Sequence, residues 1–205
     1  MLQMVKFRAH CENIDRKPEG ISTMTSALLI IDMQMVMQAR LDAGRERVNG
    51  EAGEKIAALA AAFRADRRPV IHIRHREADE NSALNEGAPG YQPMPCAVAR
   101  ENEPVFIKCT SSAFASTELE GYLNEVGITH LFVTGAVAGF CVNTTVRAGS
   151  DLGFKMSVVS DAVLGFDLPD ANLSARTIFD VTMAHLESDF AEIVETRQLV
   201  APKAA

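Results

Sequence analysis

Asp32, Lys108 and Cys141 each follow a short apolar run that reads as a β-strand. The runs are Ala27-Leu28-Leu29-Ile30-Ile31, Pro104-Val105-Phe106-Ile107 and His130-Leu131-Phe132-Val133-Thr134. An open parallel sheet gathers its ligands at the carboxyl ends of its strands. A carboxylate, an ammonium and a thiol converging there supply the parts for nucleophilic attack on an amide or ester carbonyl. Cys141 lies in Gly135-Ala136-Val137-Ala138-Gly139-Phe140-Cys141-Val142, between a strand and the helix it feeds. The positive end of a helix dipole favours a thiolate, and free N–H groups of the same turn can receive an oxyanion. Each residue has a plainer use too. A free cysteine packs as a small apolar filler, an aspartate at a strand end braces a loop, and a lysine there reaches solvent. Their joint placement is what points to a site.

The elements that must bring the three together alternate along the chain. After the strand ending at Asp32, Ile56, Leu59, Ala60 and Phe63 repeat at helical spacing, which predicts a helix over about 51–65. Pro69 introduces a second strand, Val70-Ile71-His72-Ile73, and the third ends at Lys108. A helix over 117–126 should stop at Gly127, a residue suited to a left-handed cap. The fourth strand ends at Thr134, a helix runs from near Cys141 to Gly153, and Met156-Ser157-Val158-Val159 is the fifth strand. A longer helix over 170–186 precedes a sixth strand, Ala191-Glu192-Ile193-Val194. This pattern predicts an α/β fold: a three-layer α/β/α sandwich around a mostly parallel six-stranded sheet, doubly wound in the order 3-2-1-4-5-6. Strands one and four are then neighbours at the switch point, so Asp32 and Cys141 face one crevice. The stretch 77–103, rich in proline and glycine, is long enough to be a lid or pocket wall.

A chain of 205 residues suits one such domain over 25–200, with a polar N-terminal arm over 1–24. A formal charge of −7 argues against a general affinity for nucleic acid or anionic membranes. No apolar run is long enough for a transmembrane helix, and the N-terminal stretch lacks the apolar core of a secretory signal, so the expected location is cytoplasmic. Cys11, Cys96, Cys109 and Cys141 form no Cys-x-x-Cys pair, which leaves no basis for a structural zinc site.

These residues resemble the isochorismatase-like cysteine hydrolases. The likeness runs from about Ala27 to Glu195 and rests on Leu28-Leu29-Ile30-Ile31-Asp32-Met33-Gln34, on Lys108 with Ser112-Ala113-Phe114, and on Gly135 through Val142. Thr144-Thr145-Val146-Arg147 and Val158-Val159-Ser160-Asp161-Ala162 also look like family segments. The resemblance implies that Asp32 moves the proton, Lys108 holds the charges and Cys141 forms an acyl-enzyme. It also implies a cis peptide at Ala136-Val137, an oxyanion hole from the N–H groups of Val137 and Cys141, and a homodimer or homotetramer. The chain departs from the family in carrying Ala138 where a small polar residue is usual, which would take a hydroxyl from the wall of the site.

The nicotinamidase branch of that family binds a metal after its second strand. Here His72 and His75 are three residues apart, so a strand directs them to opposite faces, and neither a metal nor a cofactor is expected. His72 reads as a core histidine satisfied by a hydrogen bond. Arg74 and His75 at the strand end, with Tyr91, Phe114 and Phe140 as planar walls, are the candidates for contact with a small-molecule substrate. Two other functions stay open at this level: a nucleotide-binding or scaffold protein of the same fold, and vinyl-ether hydrolysis of the isochorismatase type. Gly135 and Gly139 do not have the Gly-x-Gly-x-x-Gly spacing of the first, and retention of Cys141 favours amide chemistry over the second.

Overall fold

In the computed structural model the described residues are 25–200; the expected arm over 1–24 and the tail 201–205 lie outside them. The elements are β1 (Thr25–Ile31), α1 (Met35–Asp42), β2 (Arg47–Val48), α2 (Ala52–Ala65), β3 (Val70–His75), β4 (Val105–Lys108), α3 (Leu119–Glu125), β5 (Ile128–Ala136), α4 (Asn143–Asp151), β6 (Lys155–Phe166), α5 (Ala175–Asp189), β7 (Glu192–Val194) and α6 (Thr196–Val200).

β1 is uninterrupted aliphatic because both of its faces are covered, the usual condition of a central parallel strand. Leu29 and Ile31 enter one core with Leu119 and Leu123 of α3, Val146 of α4 and Phe179 of α5. Leu28 and Ile30 enter the other with Ile56, Leu59 and Phe63 of α2. The sheet is therefore the middle of three layers, and α2 turns inward the face that its periodicity predicts.

The parallel strands run β4-β3-β1-β5-β6-β7, which is the doubly wound order expected. β1 and β5 are neighbours, with Ile31 opposite Gly135. The strand count differs. β2 adds an antiparallel pairing, Arg47 with Phe166 and Val48 with Gly165, so the sheet is mixed and has seven strands, not six. β6 also continues past Val159, through Ser160 and Asp161, because those polar side chains have partners. The N–H and hydroxyl of Thr196 both donate to Asp161 Oδ1, at 2.8 and 2.9 Å, and Ser160 Oγ donates to the Val194 carbonyl at 3.1 Å. Asn49 Nδ2 bonds the carbonyls of Ser160 and Val163, both at 2.8 Å, fastening β2 to the bend in β6.

Helix ends follow local chemistry. Gly127 takes φ +72° just past α3, as a left-handed cap does. α5 begins at Ala175, later than expected, because Ser174 caps it by accepting from the Thr177 N–H at 3.1 Å. The far end of the segment 77–103 is tied down through Glu103, which accepts two bonds from Arg64, at 2.6 and 2.8 Å, and lies 2.9 Å from His72 Nε2. Burial alone would raise this carboxyl; Arg64, the Arg100 N–H and His72 together hold it down at about 2. His72 is the core histidine the sequence implies.

Candidate active site

Asp32 leaves β1 with φ +50°, a left-handed conformation that side chains disfavour, and its N–H donates to Ile73 O at 3.0 Å. The adjoining strand tolerates no side chain: a Cβ on Gly135, at φ +116°, would stand 2.0 Å from the Ile31 carbonyl oxygen. Glycine thus lets β5 pass directly beside the point where Asp32 departs. Gln34, fully buried, braces the same corner. Its amide donates to the carbonyls of His75 at 3.0 Å and Tyr91 at 2.9 Å, and its Oε1 accepts from the His75 N–H at 2.8 Å. The ends of β1 and β3 and the turn at Pro89–Tyr91 are locked together by one side chain.

Lys108 closes β4 and sends its ammonium into this corner with its side chain wholly out of water. Nζ is 2.7 Å from Asp32 Oδ2, 3.2 Å from Cys141 Sγ and 2.9 Å from His75 Nδ1. An ammonium carries three N–H bonds, and each has a partner here. His75 must accept at Nδ1, so its ring is neutral with the proton on Nε2. Burial first, and then the Lys108 charge, press the imidazole toward that neutral form.

Cys141 sits in a turn of π-helix, Ala138–Val142, that runs straight into α4. Gly139 lets that turn meet α5, since a Cβ there would come within 3.0 Å of Ile178. The peptide Ala136-Val137 is cis. Other groups oppose the pull of the helix dipole on the thiol. Burial raises the Cys141 thiol, the Asp32 charge raises it further, and Lys108 only partly offsets them, leaving it at about 11. The Asp32 carboxyl is itself raised by burial against the pull of Lys108. These shifts favour the thiol over the thiolate at neutral pH, beside an acceptor. Asp32 Oδ1 is buried with no hydrogen-bond partner among the described residues, although the Cys141 thiol bears on the carboxyl closely enough to affect its titration.

Ligand atoms of Asp32, His75 and Cys141 lie within 4.8 Å of one another, a spacing that could also suit a metal ion. The Lys108 ammonium bonds all three of these residues, so a fixed cation already fills the role a metal would take.

Asp32 and Cys141 open on a cavity of about 290 Å³, with Lys108 buried behind them. Val137 and Phe140 from the cysteine turn, Met37 and Arg40 from α1, and Leu84 and Ser111 from loops complete its wall with His75 and Glu77. Of the five residues expected to contact substrate, His75 and Phe140 are present, and Phe140 is half exposed at the mouth. Arg74 is absent because alternation along β3 turns it away from the face that carries His75. The Tyr91 ring is buried and only its carbonyl serves the site, through Gln34. Phe114 stacks on Phe154 at 5.7 Å beneath α4. Ala138 is also not a wall residue: it is fully buried in the core near Gly165 and Phe179, so a hydroxyl there would face apolar side chains. Met37 and Arg40, missed in the sequence, carry one legible signal, their i,i+3 spacing. A larger surface cleft of about 610 Å³ beside α1 and α2 contains Cys96. Its thiol is pushed up to about 11 by burial, and no convergent set like that around Cys141 accompanies it. Among the described residues no helix is long and apolar enough to cross a membrane.

The model of the Isochorismatase domain matches residues 26–196. YrdC of Bacillus subtilis, an uncharacterised isochorismatase-family protein, is 31% identical over 177 residues, 85% of this chain and 94% of that one. The ureidoacrylate amidohydrolase RutB of Enterobacter sp. strain 638 is 32% identical over 90 residues, 44% of this chain and 39% of its own. A solved isochorismatase-family structure from Chromobacterium violaceum superposes with a TM-score of 0.81 at 31% identity, covering 91% of this chain and 97% of that one.

Proposed function

The chain belongs to the isochorismatase family, and on that premise we propose that it hydrolyses the C–N bond of a small amide through an acyl-enzyme on Cys141. One observation carries this reading: the Lys108 ammonium is within hydrogen-bond reach of Asp32, Cys141 and His75 at once, and those three residues line a cavity of about 290 Å³. The amidohydrolase named among its relatives supports the choice of bond.

Asp32 takes the thiol proton as Cys141 Sγ bonds to the carbonyl carbon. The oxygen becomes an oxyanion facing the N–H groups of Val137 and Cys141, the candidate donors at this turn. Collapse breaks the C–N bond, and the departing amine receives the proton from Asp32. Water then attacks the thioester with Asp32 as base, releasing a carboxylic acid and restoring the thiol. Before each proton transfer Lys108 stabilises the buried carboxylate, and it gives the forming thiolate a counter-ion. His75 holds the ammonium in place by accepting a hydrogen bond from its remaining N–H.

A panel of small primary and secondary amides, with released ammonia or amine as the signal, tests this against Cys141→Ala. Wild type should turn over at least one of them, and the variant should lose at least about a hundredfold. Equal turnover by the two proteins would overturn the proposal.

A further inference from the structure

The charged groups around the cavity are unequally paired. Asp32 is paired with Lys108 at 2.7 Å. His75 is pressed toward its neutral form by burial and then by the same lysine. Glu77, about half exposed, accepts from Ser82 Oγ at 2.6 Å and lies 3.7 Å from His75 Nε2, so it is both engaged and screened by water. Arg40 is different. It lines the cavity from α1 and is half-buried, and no carboxylate among the described residues pairs with it. Its guanidinium makes a long contact to Met37 Sδ, 3.9 Å, and lies over the face of the Phe166 ring, 5.6 Å from the guanidinium carbon.

The neighbouring arginine sharpens the contrast. Arg45 stands over the same Phe166 ring at 5.6 Å, but it is neutralised by Asp167, with bonds of 2.8 Å to the carboxylate and 2.8 Å to the carbonyl. Arg40 has the ring and the like charge of Arg45 without an acid of its own. Burial, and secondarily Arg45, disfavour its charge. A half-withdrawn guanidinium left unpaired is costly, and a planar anion offering two oxygens would offset that cost through a forked pair of hydrogen bonds.

We propose that Arg40 is the anchor for an anionic group on the substrate, so that the amides this protein prefers carry a carboxylate within reach of α1 while their carbonyl faces Cys141. The assignment rests on the cysteine-hydrolase reading for its chemistry, but its charge selectivity can be measured without turnover. A cavity of about 290 Å³ limits the partner to a small molecule, and Met37, Leu84, Val137 and Phe140 supply an apolar surround for its skeleton.

The probe is a pair of alkylating reagents of one size and different charge, iodoacetate and iodoacetamide. Both are applied to wild type, Arg40→Gln and Arg40→Lys, with Cys141 modification read by mass spectrometry. The exposed Cys109 is the internal reference. The wild-type preference of Cys141 for iodoacetate, relative to Cys109, should be about tenfold or more. It should vanish in Arg40→Gln, survive in part in Arg40→Lys, and weaken with added salt. With turnover established, the ratio of kcat/KM for a carboxylate-bearing amide over its neutral counterpart should fall about tenfold to a hundredfold in Arg40→Gln. An iodoacetate preference that is absent in wild type, or unchanged in Arg40→Gln, overturns the assignment. If the preference depends on Arg40 and no amide is hydrolysed, the anion site stands and the amidase reading falls. If amides are hydrolysed with no Arg40-dependent charge preference, the reverse holds.

Discussion

Asp32→Asn should abolish hydrolysis and, in the same protein, make Cys141 easier to alkylate near neutral pH. The two effects have opposite signs because Asp32 plays two parts. As a base it accepts the thiol proton during attack, and loss of general-base catalysis costs about 10²–10⁴ in rate. As a fixed charge it adds to the effect of burial in raising the thiol, which stands at about 11 with Lys108 partly offsetting both. Asparagine removes the charge and leaves Lys108 acting alone in the other direction, so the thiol pKa falls. An opposed neighbouring charge shifts a pKa by about 1–3 units. Each unit raises the thiolate fraction tenfold at a pH well below the pKa. A less basic thiolate is a weaker nucleophile, with a Brønsted slope of about 0.4–0.5. The net expectation is alkylation about three- to thirtyfold faster, with its pH profile moved to lower pH. Slower alkylation of Asp32→Asn would mean that Asp32 activates the resting thiol, and the account of a neutral nucleophile would be wrong.

Lys108→Met should have the largest effect on stability. Lys108 and Asp32 are both removed from water, with side-chain exposures of 0% and 3%. Breaking such a pair by deleting one partner costs about 3–5 kcal/mol, because the other charge is left buried and uncompensated. The pH dependence follows from the sign of the Asp32 shift. Burial already raises this carboxyl, and without Lys108 it rises further above its unfolded value of about 3.9. The native state then binds more protons than the unfolded one, so stability falls as pH rises from the unfolded pKa to the folded one. Denaturant titrations should show a deficit that is full above the folded pKa and shrinks as the pH falls through that window. Adding Asp32→Leu to Lys108→Met should recover most of the neutral-pH loss, since apolar replacement of a buried ion pair is often close to neutral, while hydrolysis stays absent. A Lys108→Met protein as stable as wild type at neutral pH would contradict the buried-pair account.

The fold was legible where burial dictates sequence. β1, β3 and β5 are apolar runs because a central parallel strand is covered on both faces, and the strand order follows from right-handed crossovers between them. β2 was not legible: two residues, one of them arginine, in an antiparallel pairing set by the distant Phe166 leave no periodic trace. The polar pair Ser160-Asp161 hid the length of β6 because its partners, Val194 and Thr196, lie more than thirty residues away. Asp32 and Lys108 could be read because a strand end fixes the position of the adjoining side chain, and Cys141 because the turn after a central strand opens on the same sheet edge. The cavity wall could not. Aromatic identity says nothing of direction, so Phe114 and Tyr91 went to the interior, and Leu84 and Ser111 come from loops whose paths no local pattern encodes. Ala138 was misread for the same reason: one step along the π turn decides between cavity and core.

The most direct test of the central claim is an acid-quenched turnover of the best amide substrate, followed by intact-mass and peptide mass spectrometry of the protein. An acyl adduct on the peptide containing Cys141, formed in wild type, chased away by further time and missing in Cys141→Ser, is the predicted result. Steady turnover with no adduct on Cys141, accompanied by undiminished hydrolysis in Cys141→Ser, would contradict it.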